Sequence, residues 1–224
     1  MTDTVYEAIR KRLVYQEIGP GAKININGLA AELDVSPTPV REALARLEAE
    51  GLVLKRPMAG YSAAPLMSEA DFEALFEMRL LLEPAAASLA AERISTGSLE
   101  VLDEHLHEMR GAQHGVSRDM RLLFVQQDAL FHQQIAASAG NALMADTLER
   151  FHAHTHLYRL YFRDGITETT CQEHERIVEA LRAADPDIAA AAMRSHLRRA
   201  QQRLLPAVRS MGRETPGGSR AEAP

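Results

Sequence analysis

The sequence predicts a mainly α-helical protein with an N-terminal winged helix-turn-helix, made of three helices and a small β-wing, followed by an all-α bundle of about six helices. Residues 29–65 combine two short helical patterns with a Gly-containing hairpin, and from Ser68 onward the helical periods are long, without strand signals. We therefore expect domains at residues 1–66 and 69–208. The Gly-, Pro- and charge-rich stretch 212–224 is predicted to be a disordered tail.

The first two helices follow from apolar spacing and capping residues. Apolar residues at helical intervals predict a helix over residues 5–18, which ends before a Gly-Pro-Gly turn. Asn27 is placed to cap a short helix over residues 28–33, which packs on one apolar side. Asp34 then begins the turn to the third helix.

The third helix has one apolar and one polar face. Ser36 is placed to cap it, Pro37 is tolerated in its first turn, and Gly51 ends it. The residues predicted to be buried are Val40, Ala43, Leu44 and Leu47. The residues of the opposite face are Thr38, Arg41, Glu42 and Ala45. Two short strands at 52–56 and 61–64 then predict the wing.

The polar face of the third helix is suited to the major groove of DNA. Arg41 can contact guanine with two hydrogen bonds, and the hydroxyls of Ser36 and Thr38 suit phosphate oxygens. The other cations predicted to contact DNA are Arg46 on the helix and Lys55 and Arg56 on the wing. The alternative is that two packed helices belong to an all-α protein that does not bind DNA.

The charge of the chain is unevenly divided. Its net charge is -6, yet residues 1–66 hold 8 basic and 8 acidic side chains, so the excess acid lies beyond them. DNA affinity must then come from locally placed cations. Because one helix reads only a few base pairs, we expect a homodimer on a palindromic operator.

Composition indicates a soluble cytoplasmic protein. No stretch approaches the length and apolarity of a membrane span, and no signal peptide is apparent. The single cysteine, Cys171, cannot form an internal disulfide and is interpreted as a small packed hydrophobic residue.

The second domain is predicted to contain helices alone. Their predicted spans are residues 69–94, 98–115, 119–138, 142–163, 167–184 and 188–208. The breaks contain Gly97, Gly140-Asn141, Asp164-Gly165 and Asp185-Pro186.

One set of side chains in this domain can hold a metal ion. Asp128 and His132 are four residues apart on one helical face, and His174 and His196 lie on two later helices. Three imidazoles and a carboxylate suit zinc, nickel, cobalt, manganese or iron; zinc is favoured, with nickel or manganese as the main alternatives. The alternative to a metal site is that these histidines are hydrogen-bonded packing residues. The remaining histidines are interpreted as surface residues: His105, His107, His114, His152, His154 and His156.

The N-terminal motif resembles the DNA-binding domain of the GntR family of bacterial transcription regulators. The resemblance covers residues 1–66, and the segment from Ser36 to Leu44, Ser-Pro-Thr-Pro-Val-Arg-Glu-Ala-Leu, carries its signature. Arg41 matches the family's central arginine. Pro37 departs from the pattern, because many relatives have an arginine there that contacts DNA.

Residues 69–208 resemble the FCD effector domain of the FadR branch of this family, in its six-helix, VanR-like form. The motifs are Met78-Arg79-x-x-x-Glu83-Pro84 before an Ala-rich turn, Asp128-x-x-Phe131-His132, Glu173-His174 and Met193-x-x-His196. The resemblance implies that Asp128, His132, His174 and His196 bind metal. It also implies a buried cavity for a small organic acid beside the ion.

The arginine that would neutralise this acid is predicted to be Arg79. The alternative for Arg79 is a salt bridge with Glu83, four residues later. The weaker candidates for the effector pocket are Arg121, Tyr158, Arg159 and Gln172, which an exposed or packing role explains equally well.

The predicted function is a transcription regulator, and more specifically a repressor, whose operator binding changes when an acid binds beside the metal. One rival is a metal-dependent enzyme, but its only nearby base, Glu173, is expected to project away from His174. Another is a DNA-binding protein with a structural metal and no effector.

Overall fold

The computed structural model describes residues 2–113, 117–151, 153 and 168–214. Within these residues the chain forms nine helices and one three-stranded sheet, which confirms the mainly α-helical fold class. The first domain contains α1 (Thr2–Val14), β1 (Lys23–Ile24), α2 (Ile26–Glu32), α3 (Pro37–Ala49), β2 (Val53–Arg56) and β3 (Gly60–Ala63). The second contains α4 (Glu69–Arg93), α5 (Thr96–Gln113), α6 (Arg118–Ser138), α7 (Ala142–Arg150), α8 (Glu168–Arg182) and α9 (Pro186–Glu214).

The start of the first domain differs from the sequence prediction. Helix α1 ends at Val14 instead of residue 18, and Gln16 adopts a positive φ of 57°. Asn25, not Asn27, caps α2, because its Oδ1 accepts a hydrogen bond from the amide of Gly28 at 3.1 Å. Helix α2 therefore begins two residues earlier than predicted.

The wing contains a third strand that the sequence prediction missed. Strand β1 pairs antiparallel with β3, and β3 pairs antiparallel with β2, in the order β1-β3-β2. A two-residue strand is too short to produce an apolar alternation. The β2–β3 turn uses positive φ values at Met58 and Gly60, and Met58 lies fully exposed at its tip.

Helix α3 has the predicted amphipathic arrangement. Its four predicted core residues, Val40, Ala43, Leu44 and Leu47, are all fully buried. Ser36 occupies the N-cap position, but its side chain makes no capping hydrogen bond, contrary to the prediction. Gly51 has a φ of 73° after the helix, which is the left-handed conformation expected of a glycine at a helix end.

The second domain departs from the prediction mainly at helix boundaries. Helix α4 runs through Pro84 and the Ala-rich segment to Arg93, one residue short of the predicted end at residue 94. Gly97 lies inside the first turn of α5, not between helices. Helix α9 extends to Glu214, so residues 212–214 of the predicted tail are helical. Residues 215–224 and most of the predicted helix end at 151–163 lie outside the described residues.

The helices of the second domain surround one apolar core. It is formed by buried residues of α4, α5, α6, α8 and α9, among them Leu102, Phe131, Ile177 and Leu197. A smaller cluster joins the first half of α4 to the second half of α9 through Phe72, Phe76, Ala200, Leu204 and Val208. Val14 of α1 belongs to the large core, so the two domains share packed apolar contacts.

Candidate functional site

The exposed face of α3 carries the predicted DNA contacts. Ser36, Thr38 and Arg41 are exposed at the N-terminal end of the helix, on the side opposite its buried stripe. The unpaired amides of the first turn give this end a partial positive charge. The arrangement presents a hydroxyl, a guanidinium group and the positive helix end on one surface.

The other predicted DNA contacts occupy two different settings. Lys55 and Arg56 are exposed at the end of β2, and the Lys55 ammonium lies 5.7 Å from the centre of the Tyr61 ring. Arg46 lies further along α3, where its guanidinium stacks 4.1 Å from the Tyr6 ring and donates to Asp3 at 2.7 Å. Arg46 therefore also ties α3 to α1.

Three histidines from three helices meet in the second domain. His132 of α6, His174 of α8 and His196 of α9 are buried, and one ring nitrogen of each lies within 4.8 Å of the others. The Nε2 atoms of His174 and His196 are 3.3 Å apart. Asp128, one turn before His132, places Oδ1 3.5 Å from His174 Nε2. The structure thus brings together all four predicted ligand residues.

Two of the histidines are held from their outer side by buried glutamates. His132 Nδ1 lies 2.6 Å from Glu83 Oε2, and His196 Nδ1 lies 2.9 Å from Glu173 Oε2. An ionised carboxylate only accepts hydrogen bonds, so each Nδ1 carries the proton when the ring is neutral. The lone pair of each Nε2 is then directed towards the centre of the cluster.

The third histidine is fixed by an aromatic contact. The ring of His174 stacks on Phe131, with centroids 4.3 Å apart and planes 19° from parallel. Phe131 precedes His132 on α6 and is fully buried. Helix α6 therefore supplies two predicted ligands and the ring that orients another.

The donor set fits a divalent transition metal. Two nitrogens bound to one zinc ion at about 2.0–2.1 Å lie about 3.3 Å apart at the tetrahedral angle, close to the separation of the His174 and His196 Nε2 atoms. Histidines that bind metal commonly donate their other N–H to a carboxylate, as His132 and His196 are placed to do.

The two glutamates are held in the charged state by their partners. Burial raises the pKa of Glu83, but the charges of Arg79 and His132 and their hydrogen bonds outweigh burial and hold the pKa well below its usual range. Burial also raises the pKa of Glu173, but hydrogen bonds from His196 and Arg203 outweigh it and lower the pKa to about 2. Both carboxylates therefore remain acceptors for histidine N–H groups near neutral pH.

The structure places Arg79 beside Glu83. Its Nε donates to Glu83 Oε1 at 2.5 Å, its side chain is almost fully buried, and its guanidinium lies 5.3 Å from the Phe76 ring. This is the salt bridge of the alternative interpretation, and it puts Arg79 behind His132, one of the predicted ligands.

The weaker effector candidates are scattered. Arg121 is half-buried on α6, seven residues before Asp128 and so on nearly the same helical face. Gln172 is exposed on α8. Tyr158 and Arg159 lie outside the described residues, as do His114, His152, His154 and His156. Of the histidines interpreted as surface residues, His107 is exposed, whereas His105 is partly buried and hydrogen-bonds Gln127 through Nδ1 at 2.7 Å.

A cleft of about 620 Å³ lies next to the histidine cluster. Glu83 and His132 form part of its wall, and α6 and α7 contribute further polar and apolar side chains. Tyr6, Arg10 and Glu50 of the first domain also line it, and Glu149 of α7 adds another carboxylate. The Arg10 Nε atom is buried and has no hydrogen-bond partner among the described residues.

Sequence reasoning missed the role of the residues behind the histidines. Glu83 was considered only as a partner of Arg79, and Glu173 only as a base that projects away from His174. The sequence feature that could have indicated the role of Glu83 was its position one turn from Arg79 on a buried helix face. No sequence spacing linked Glu173 to His196, because the two residues meet only through the packing of α8 against α9.

Comparison with known proteins identifies the family. The model of bacterial regulatory proteins of the gntR family matches residues 1–62, and the FCD domain model matches residues 74–199. The chain belongs to the GntR family of bacterial transcription regulators. It is a DNA-binding transcription regulator of the GntR type with an FCD domain, and its relatives are regulators, not enzymes.

Two curated relatives match the regulator over most of their length. It is 30% identical to the HTH-type transcriptional repressor RspR of Escherichia coli over 212 residues, which is 94% of this chain and 90% of that protein. It is 32% identical to the HTH-type transcriptional regulator LutR of Bacillus subtilis over 203 residues, 81% of this chain and 90% of that protein.

Solved structures share the fold of the regulator. Escherichia coli McbR/YncC is 21% identical with a TM-score of 0.69, over 94% of this chain and 98% of that one. A putative GntR regulator from Rhodococcus sp. RHA1 is 20% identical with a TM-score of 0.71, over 92% of this chain and 98% of that one. Among the described residues of the regulator, no helix combines the length and apolarity needed to cross a bilayer.

Proposed function

We propose that this regulator is a repressor whose binding to its operator is controlled by a small organic acid held beside a divalent metal ion. The observation that carries the proposal is the buried convergence of His132, His174, His196 and Asp128 next to a ligand-sized cleft. FCD domains often bind metal, and the donor set of this chain suits one.

The metal would be held by Asp128, His132, His174 and His196. Zinc is the favoured ion, with nickel or manganese as alternatives, since imidazole and carboxylate suit all three. When bound, the ion supplies a positive charge that can attract a carboxylate of the effector. The protein contributes the rigid placement of the ligands, through Glu83, Glu173 and Phe131.

An anionic ligand in the cleft would extend from His132 towards the first domain. Of the four predicted metal ligands, His132 lines the cleft, and so does Arg10, whose buried Nε can donate to an anionic group of the ligand. Arg121 is a further candidate because it shares the helical face of Asp128. Arg79 would act mainly by holding Glu83, and Tyr158, Arg159 and Gln172 stay sequence-based candidates.

DNA would be read by a homodimer on a palindromic site. Regulators of this family bind DNA and usually dimerise, and one α3 helix reaches only a few base pairs. Arg41 would contact a base edge, Ser36 and Thr38 would contact phosphates, and Arg46, Lys55 and Arg56 would add cationic contacts. A regulator of this kind acts in the cytoplasm, where the chromosome is. The repressor assignment is supported by the name of the relative RspR.

The first test is thermal unfolding of metal-loaded and chelator-stripped protein in the presence of lactate, citrate, gluconate or benzoate. A specific ligand raises the midpoint by mass action. We expect a shift of several degrees with one of these acids in the metal-loaded protein alone. The same acid should then change affinity for an operator selected from random DNA by the wild-type protein.

His174→Ala is the matched variant for this test, and His107→Ala, at an exposed position, is the control. His174→Ala should lose stoichiometric metal and the response to the acid, while His107→Ala should keep both. Metal retained at full stoichiometry in His174→Ala would refute the ligand set. Equal unfolding midpoints with and without metal, and with every acid, would refute the control of operator binding by an acid at this centre.

A further inference from the structure

Arg203 has no place in the predicted ligand or effector sets, yet it makes a direct contact behind the metal centre. Its NH1 donates to Glu173 Oε1 at 2.7 Å, and its NH2 donates to Glu173 Oε2 at 2.8 Å. This paired geometry is the strongest arrangement available to an arginine and a carboxylate. Glu173 is almost fully buried, and Arg203 is one-fifth exposed.

The same carboxylate holds a predicted metal ligand. Glu173 Oε2 accepts from His196 Nδ1 at 2.9 Å, so one oxygen serves both His196 and Arg203. His196 and Arg203 are seven residues apart and lie on one face of α9, towards α8. The guanidinium therefore fixes the carboxylate, and the carboxylate fixes the imidazole.

A second chain of contacts with the same chemistry lies on another side of the cluster. Arg79 donates to Glu83, and Glu83 Oε2 accepts from His132 Nδ1 at 2.6 Å. In both cases an arginine holds a glutamate whose carboxylate accepts from Nδ1 of a histidine, which leaves Nε2 facing the centre. The repeated arrangement indicates that these arginines serve the histidines.

We infer that Arg203 is a positioning residue of the metal centre, which acts through Glu173 to hold His196 with its Nε2 towards the ion. The inference rests on the proposed metal site. Without Arg203, Glu173 would lose its paired donor and His196 could rotate. Outer contacts of this kind typically contribute about 10- to 100-fold in metal affinity.

The test measures binding of Zn²⁺ and Co²⁺ to the full chain, by competition with a chromophoric chelator and from the visible spectrum of the Co²⁺ form. Arg203→Met should bind both ions about 10- to 100-fold more weakly than wild type and should shift the Co²⁺ absorption bands, because His196 is displaced. Arg203→Lys keeps the positive charge without the paired geometry, so its affinity for both ions should fall between those of wild type and Arg203→Met.

Arg199→Met is the matched control. Arg199 also lies near Glu173, 3.7 Å from Oε1, but it is half exposed, so its loss should change metal affinity less than about twofold. Circular dichroism of the metal-free proteins checks that the variants are folded. If Arg203→Met is unfolded, Glu173→Gln takes its place and should weaken binding by about tenfold, because the acceptor stays but its charge is lost.

The outcomes separate this inference from the proposed function. Equal affinities and identical Co²⁺ spectra in wild type and Arg203→Met would overturn the positioning role and leave the metal site intact. Weakening of equal size in Arg199→Met would overturn it as well, because a general loss of positive charge would then explain the effect. A wild-type protein that binds neither ion would overturn both proposals.

Discussion

At the scale of single residues, the contacts of a polar side chain decide its chemistry more than its type does. His132 and His196 each have a carboxylate on Nδ1, whereas exposed His107 is not part of the cluster. Cys171 shows the same dependence: it is buried, and burial, followed by the negative charge of Glu175, raises the pKa of its thiol to about 11. The thiol is thus a packed apolar group, as the sequence predicted.

The raised pKa of Cys171 predicts slow alkylation. At pH 8 the thiolate population of the folded protein should be about 100-fold smaller than that of a free cysteine. Folding favours the neutral thiol over the thiolate. The contribution of this preference to the free energy of unfolding is therefore complete below about pH 9 and declines as the pH rises towards 11. Iodoacetamide labelling followed by mass spectrometry measures the rate.

The control for this experiment is the same protein in guanidinium chloride, where Cys171 should react at the rate of a free thiol. Cys171→Ala identifies the labelled site. If the folded protein were labelled at pH 8 at a rate within a few-fold of that of the unfolded protein, the burial of the thiol would be contradicted.

At the scale of elements, a helix such as α3 is placed by its buried stripe, and its other face is free to act. Helix α3 buries Val40, Ala43, Leu44 and Leu47 and leaves Arg41 exposed at its N-terminal half. Helix α6 ends where Gly140 adopts a φ of 68° and Arg93 donates to the carbonyl of Ala139 at 2.6 Å. A Cβ at Gly140 would approach Arg93 to 3.2 Å, so α4 packs directly against this helix end.

The exposed face of α3 predicts a DNA-binding defect for Arg41→Ala. Loss of a guanidinium that contacts guanine should weaken specific binding by about 1–3 kcal/mol and relax the sequence preference at one position of each half-site. Fluorescence anisotropy with a selected operator and with its single-base variants measures both effects.

Arg182→Ala is the control for the change in net charge, because Arg182 pairs with Asp103 on the second domain. This variant should bind the operator as wild type does. An Arg41→Ala protein with wild-type affinity and wild-type base preference would remove Arg41 from the interface.

At the scale of the whole molecule, α6 connects the histidine cluster to the DNA-binding domain. Its first turn contacts the end of α1, where Tyr15 donates to Asp119 at 3.0 Å and Lys11 lies 3.7 Å from the same carboxylate. Arg118 pairs with Glu17 at 3.7 Å, and Val14 enters the large core. Asp128 and His132 lie on the same helix, so a shift of α6 at the cluster would be transmitted to α1.

This connection predicts a coupled response to Zn²⁺. In the wild-type protein, metal should slow amide hydrogen exchange both in α6 and at the end of α1, because ordering α6 stabilises its contact with α1. In Asp119→Ala the protection of α6 should remain, while the added protection of α1 should fall by about fivefold or more.

Asp103→Ala removes an exposed carboxylate that pairs with Arg182, and it should leave both responses unchanged. Equal metal-induced protection of α1 in wild type and Asp119→Ala would show that this contact does not transmit the effect of the ion.

The family resemblance and the apolar periodicity predicted the two domains, the order of the helices and the wing, because these are properties of neighbouring residues along the chain. The cap of α2 was placed wrongly at Asn27, because Asn25 and Asn27 are equally good capping residues and the choice depends on where α2 packs. Strand β1 was missed because its two residues are ordered by pairing with β3.

By itself the sequence determined which residues can form each helix and which side chains can bind a metal or a phosphate, since spacing and chemical type are local properties. Tertiary structure alone decided that Glu173 meets His196 and Arg203, that Glu83 meets His132, and that α6 reaches α1. These contacts join residues on different helices or on distant turns, and their geometry depends on how buried surfaces pack, which no periodicity along the chain records.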